Sequence, residues 1–124
     1  VSHDELIEQG MRNHVFLQPS ITSEWGDTEG GAPVSIIEMM ATGMPVVATT
    51  HADIPNVVEH GETGFLAEPG DTAGIAAHLQ WLADHPDAWK ELGRAARRRV
   101  EQEFNGVVQG ERLGDAYRRI AREV

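Results

Sequence analysis

Apolar positions fall into short runs in the first half of the chain and into helical stripes in the second. His14-Val-Phe-Leu-Gln18 and Val46-Val47-Ala48-Thr49 read as strands, and Phe65-Leu66-Ala67 as a third. Val46–Thr49 is apolar on consecutive positions, as a parallel strand buried on both faces is. Breakers bound the runs: Pro19-Ser20 after the first, Gly43 and Pro45 before the second, Gly61-Glu-Thr-Gly64 before the third. Ser2, with Glu5 three residues on, forms a capping box for a helix reaching about Met11. Pro33 opens a helix that Gly43 closes, and Val34, Ile36, Ile37, Met39, Met40 and Ala41 make it apolar over most of its circumference. Strands alternating with helices predict a Rossmann-like α/β fold, a parallel sheet with flanking helices.

From Asp71, an N-cap, the chain reads as helical throughout. Ile75, Leu79, Leu82 and Ala83 make one apolar stripe. Trp89, Leu92, Gly93, Ala96, Val100 and Phe104, after His85-Pro86, make the next. Leu113, Ala116, Tyr117, Ile120 and Val124 make the last, so residues 86–124 are expected to form C-terminal helices. Arg97-Arg98-Arg99 shares its helix with Glu101 and Glu103 and reads as a solvated face.

Composition narrows the function. The 124 residues contain no Cys, which removes disulfides, a Cys-ligated zinc and a thiol nucleophile. A formal charge of −10 argues against a nucleic-acid partner. The charge is lopsided: residues 1–89 hold 14 acids against one base, Arg12, and residues 90–124 hold nine bases against six acids. The acidic part is expected to carry the site.

That site centres on the helix opened by Pro33 and the loop before it. Ser35, Glu38 and Thr42 stack on one face of an otherwise apolar helix. A carboxylate there is costly unless it is paired or faces a ligand cleft. The loop from Ile21 to Ala32 brings Glu24, Asp27 and Glu29, then Gly30-Gly31-Ala32 and the helix N-terminus. Glycines admit a ligand close to the backbone, and free N–H groups at a helix start favour phosphate. Ligands of open α/β sheets bind beyond the carboxyl ends of the strands, where this loop lies. Carboxylates for hydroxyls and amides for a diphosphate together suit a sugar nucleotide.

The stretch Glu29-Gly-Gly-Ala-Pro-Val-Ser-Ile-Ile-Glu38, followed by Met-Met-Ala-Thr-Gly-Met-Pro-Val-Val-Ala-Thr, resembles the donor motif of family 4 retaining glycosyltransferases of GT-B fold, the glycosyl transferases group 1. Ser2-His-Asp-Glu-Leu6, Pro19-Ser20, Ile54-Pro-Asn-Val-Val-Glu59, Gly61-x-Thr-Gly64-Phe-Leu and Pro69-Gly-Asp71 continue the likeness in order along nearly the whole chain. The resemblance implies a partial C-terminal domain, residues 1–124, that binds a nucleotide-sugar donor such as a UDP- or GDP-hexose. It implies metal-independent transfer with no cofactor, and a saccharide or lipid-linked acceptor. Glu29 would be the catalytic residue beside the donor sugar, and Glu38 would accept from the ribose. Amides of Gly30, Gly31 and Ala32 would reach sugar or phosphate, and Val34 would pack on the nucleotide. Glu29 and Glu38 enclose eight residues where the family pattern has seven, so Asp27 or Glu24 could share the sugar-facing role.

The likeness begins past the middle of such a domain, and the first residue is Val, so a longer chain with an N-terminal acceptor domain is expected. The upstream units would carry the cations for the diphosphate. The 124 residues alone are then expected to be inactive, to bind donor poorly and to self-associate through an uncovered sheet edge. A bacterial, cytoplasmic enzyme of polysaccharide synthesis, peripheral at the inner membrane if attached at all, completes the expectation. Two rival readings stand beside it. One is a binding or scaffolding fragment without activity. The other is a metal-dependent sugar-nucleotide enzyme using Asp27 and Glu29. His51, Asp53 and His60 lack the spacing of a metal site.

Overall fold

The computed structural model describes residues 2–28 and 30–123. Three parallel strands lie in the order β1 (Phe16–Gln18), β2 (Val46–Thr49), β3 (Gly64–Ala67). Phe16 stands opposite Val46, and Val46 opposite Gly64. Helix α1 (His3–Gly10) precedes β1, and α2 (Val34–Thr42) links β1 to β2. After β2 comes α3 (Ile54–Val57), and after β3 come α4 (Thr72–Asp84), α5 (Trp89–Glu103) and α6 (Gly106–Glu123). The result is the α/β, Rossmann-like layering that the alternation of patterns predicts.

Every residue of the central strand β2 is buried. Val46 and Ala48 face one layer, where Ile36 and Met40 of α2, Ile54 and Val57 of α3, and Ala96 and Val100 of α5 close the core. Val47 faces the other layer, against Leu82 of α4 and Leu92. Helices α2 and α5 meet at their backbones. Gly43 caps α2 in the left-handed region at φ 83°, and a Cβ on Gly93 would penetrate the Gly43 carbonyl, whose carbon would lie only 2.9 Å away.

Several elements differ from the sequence reading. β1 is three residues long, because His14 is exposed and turns its ring towards Trp89 instead of joining β2. The 310 turn Pro86–Ala88 precedes α5. In α4 the inner stripe is Ile75, His78, Leu79 and Leu82, and Ala83 is exposed, since His78 reaches back to the sheet. The α6 stripe is not buried within these residues: Leu113, Tyr117 and Ile120 are all more than half exposed. Val124, its last member, lies outside the described residues. Leu17 on β1 is 42% exposed at an uncovered edge of the sheet. Among the described residues no helix is long and apolar enough to cross a membrane.

Arg99 corrects the reading of Arg97-Arg98-Arg99 as a wholly solvated face. It donates to the carbonyls of Val57 (2.7 Å) and Asn56 (2.8 Å) and pairs with Glu59. These are carbonyls at the end of α3, which has no further turn to satisfy them. Helix α3 itself escaped the periodicity reading because it is a single turn with Pro55 at its start.

Candidate donor site at the carboxyl edge of the sheet

Parallel strands connected by helices place the loops after β1, β2 and β3 along one edge. The chain leaves β1 through Pro19 and Ser20, and the buried Thr49 hydroxyl, at the end of β2, donates to the Ser20 carbonyl at 2.6 Å. The start of the loop is thereby fixed to the central strand. Ser23 organises the next turn: its hydroxyl accepts from Asp27 N at 3.0 Å, and Ser23 N–H donates to the Asp27 carbonyl. Glu24 and Asp27 are exposed around it, and Trp25 at the tip is 89% exposed.

The second half of the loop is open. Gly30 adopts φ 67°, a conformation that favours glycine, and its N–H donates to Thr28 Oγ1 at 3.3 Å. A Cβ at Gly30 or Gly31 would meet nothing within 4 Å, so the space beside the backbone is free. Ala32 packs on the core, whereas Val34, one step into α2, is 67% exposed. Glu29 lies outside the described residues.

Ser35, Glu38 and Thr42 share a face of α2 but separate into three environments. Ser35 Oγ approaches Gln18 Oε1 at 3.5 Å, and Gln18 donates to Ser20 Oγ at 3.1 Å. Glu38 Oε1 lies 3.5 Å from His3 Nδ1 at the start of α1, with its side chain 26% exposed. Thr42 turns its hydroxyl onto the Met39 carbonyl at 2.6 Å and belongs to the opposite end of the helix. The structure therefore adds His3 and Gln18 to the polar group that the sequence pattern had drawn from α2 alone. Neither sits on a periodic face that would mark it out.

Cations are scarce at this edge. Arg12 pairs with Glu8 at 2.6 Å beyond the last turn of α1, away from His3. Arg99 is engaged at α3. His51, after β2, is 5% exposed, and its buried Nε2 has no partner among the described residues. No group of three His, Cys, Asp or Glu among the described residues is placed to hold a metal ion.

Comparison with known proteins follows the same lines. Residues 3–85 match the family model described as Glycosyl transferases group 1. The chain is 40% identical over 107 residues to the amylovoran biosynthesis glycosyltransferase AmsK of Erwinia amylovora, covering 86% of this chain and 26% of that protein. It thus spans about a quarter of the relative's length. The sucrose-phosphate synthase of Thermosynechococcus elongatus superposes with a TM-score of 0.82 at 27% identity, over 100% of this chain and 29% of the synthase. Anabaena HepE in complex with UDP-glucose superposes with a TM-score of 0.77 over 91% of this chain and 29% of HepE, and at 22% identity that likeness is one of fold. The architecture is that of the C-terminal domain of GT-B glycosyltransferases. By its family match over two thirds of its residues, the chain belongs to the glycosyl transferases group 1.

Proposed function

We propose that this chain supplies the nucleotide-sugar half of a retaining, metal-independent glycosyltransferase. The observation that carries the reading is Glu38: a part-exposed carboxylate on an otherwise apolar helix, its Oε1 3.5 Å from His3 Nδ1. Burying part of a charge costs free energy that two ribose hydroxyls donating to it would offset. The diphosphate would lie over the open backbone of Gly30, Gly31 and Ala32 at the start of α2, where N–H groups and the helix dipole meet negative charge. Val34, exposed at the same end, would pack on the nucleotide. Glu29 would face the donor sugar as the catalytic residue, with Asp27 or Glu24 able to share that role. HepE, of the same fold, is known in complex with UDP-glucose, which supports a UDP- or GDP-hexose donor. AmsK is named for amylovoran biosynthesis, which supports a saccharide or lipid-linked acceptor in polysaccharide synthesis.

The scarcity of free cations at this edge leaves the diphosphate to be neutralised by segments beyond these residues, and an acceptor domain would complete the cleft. The activity is assigned to such a longer protein, in the cytoplasm, with no cofactor. Calorimetry of the intact protein with UDP, GDP and their hexose derivatives, in EDTA, tests the reading. Saturable binding that survives EDTA is expected. Binding that requires Mn²⁺ or Mg²⁺ would transfer the assignment to the Asp27–Glu29 metal reading.

A further inference from the structure

β3 is the second edge of the sheet, and its outward backbone groups are taken up by a local device. In a parallel ladder, alternate residues point their N–H and C=O groups away from the neighbouring strand. Ala67 accepts from Thr50 on the β2 side, so Leu66 points outward. Its N–H donates to His60 Nδ1 at 3.0 Å, and its carbonyl meets His78 Nε2 at 3.1 Å. Gly64 O, also outward, accepts from Gly61 N at 2.8 Å. Two imidazoles and a turn thus close an edge that would otherwise invite another strand.

The two histidines hold opposite roles. A backbone N–H can only donate, so His60 Nδ1 carries no proton; a carbonyl can only accept, so His78 Nε2 carries one. The rings lie 5.2 Å apart at 66°, and His78 stacks on Phe65 at 5.1 Å and 17°. Protonating His78 at Nδ1 leaves its bond to Leu66 intact. Protonating His60 at Nδ1 puts a donor against a donor and destroys the other bond.

We propose that His60 is an acid-sensitive latch on β3: gaining a proton at Nδ1 releases the Leu66 N–H, while His78 holds the carbonyl. The other charged or titratable groups around it are few. Glu59 on the same turn is engaged by Arg99 of α5, Glu62 is exposed in that turn, and Glu68 after β3 accepts from Thr50. On α4 the group next to His60 is His78, with His85 further along, stacked on Trp81. The released segment is the turn that follows α3, and Arg99 ties Glu59 in that turn to α3.

Imidazole ¹⁵N shifts and amide exchange of the intact protein between pH 8 and pH 5 read this directly. The expected result is an unprotonated Nδ1 at His60 at pH 8, and a Leu66 amide whose protection falls about tenfold as His60 titrates, the scale of one lost hydrogen bond. His60→Asn, which keeps an acceptor near the Nδ1 position but does not titrate, is expected to hold Leu66 protected across the range. His60→Phe is expected to hold it at the lower, about tenfold reduced protection throughout. A proton on Nδ1 of His60 at pH 8, Leu66 protection that does not follow the His60 titration, or an unchanged pH dependence in His60→Asn would each overturn the latch.

Discussion

Glu38 and His3 meet where α2 packs against α1, Oε1 to Nδ1 at 3.5 Å. The contact is long for a hydrogen bond and leaves the carboxylate room to accept from a ligand. Glu38→Ala is therefore expected to weaken UDP or GDP binding by about 1.5–3 kcal/mol, the value of hydrogen bonds to a charged group. Fold stability should change little, because the side chain is part-exposed and no short hydrogen bond is lost. Calorimetry paired with urea unfolding separates the two effects; lost stability at unchanged affinity would assign Glu38 a structural role.

Glu29→Gln should separate the sugar from the nucleotide. Turnover of the intact protein is expected to fall while affinity for free UDP or GDP stays within about twofold, because contacts made at the reacting sugar act in the transition state. Steady-state kinetics with a nucleotide titration checks this.

The crossing of α2 and α5 is predicted to be intolerant of any side chain. Gly93→Ala drives a Cβ into the Gly43 carbonyl, a backbone group that cannot swing aside. A loss of about 3 kcal/mol, the upper range for overpacking, is expected in urea unfolding. Gly31→Ala, where a Cβ meets open space, should cost far less and serves as the control.

Much of this architecture was legible because its cues are local. Capping at Ser2 and Asp71, the closing Gly43, and the unbroken apolar run Val46–Thr49 each mark an element whose physics lies within a few residues. What escaped depends on distant partners. Arg99 looks solvated on its own helix and is identified only by the Asn56 and Val57 carbonyls more than 40 positions away. His78 breaks the apolar rule of its stripe because its partner is the Leu66 carbonyl on β3. Of the candidate site, Glu38 stands out against an apolar helix and His3 only as part of the Ser2-His-Asp-Glu-Leu6 likeness, whereas Gln18 carries no pattern and emerges from the packing of β1 against α2.

Arg99 gives a further test. Its planar fork serves two backbone carbonyls and one carboxylate, which a lysine cannot match. Arg99→Ala is expected to destabilise by about 2 kcal/mol, and Arg99→Lys to recover less than half of that. Urea midpoints of the three proteins decide it.

The docking of α6 should be acid-labile. Arg112 on α6 donates to Glu103 at the end of α5 (2.8 Å) and holds its carboxyl below the usual carboxylate range. A pKa lower in the folded state means that the contribution is in place above about pH 4.3 and is lost as pH falls through the folded value. Protection factors of the α6 amides, corrected for intrinsic exchange, should fall as Glu103 gains its proton, and Arg112→Ala should remove that pH dependence.

The central claim is that a nucleotide sugar binds across the loop after β1 and the first turns of α2. Hydrogen–deuterium exchange of the intact protein, with and without saturating UDP- or GDP-hexose in EDTA, tests it most directly. The account predicts new protection confined to residues 20–38 and the start of α1 within these 124 residues, and its loss in Glu38→Ala at the same ligand concentration. Protection appearing instead along α4 or α5, with residues 20–38 unchanged, would contradict it.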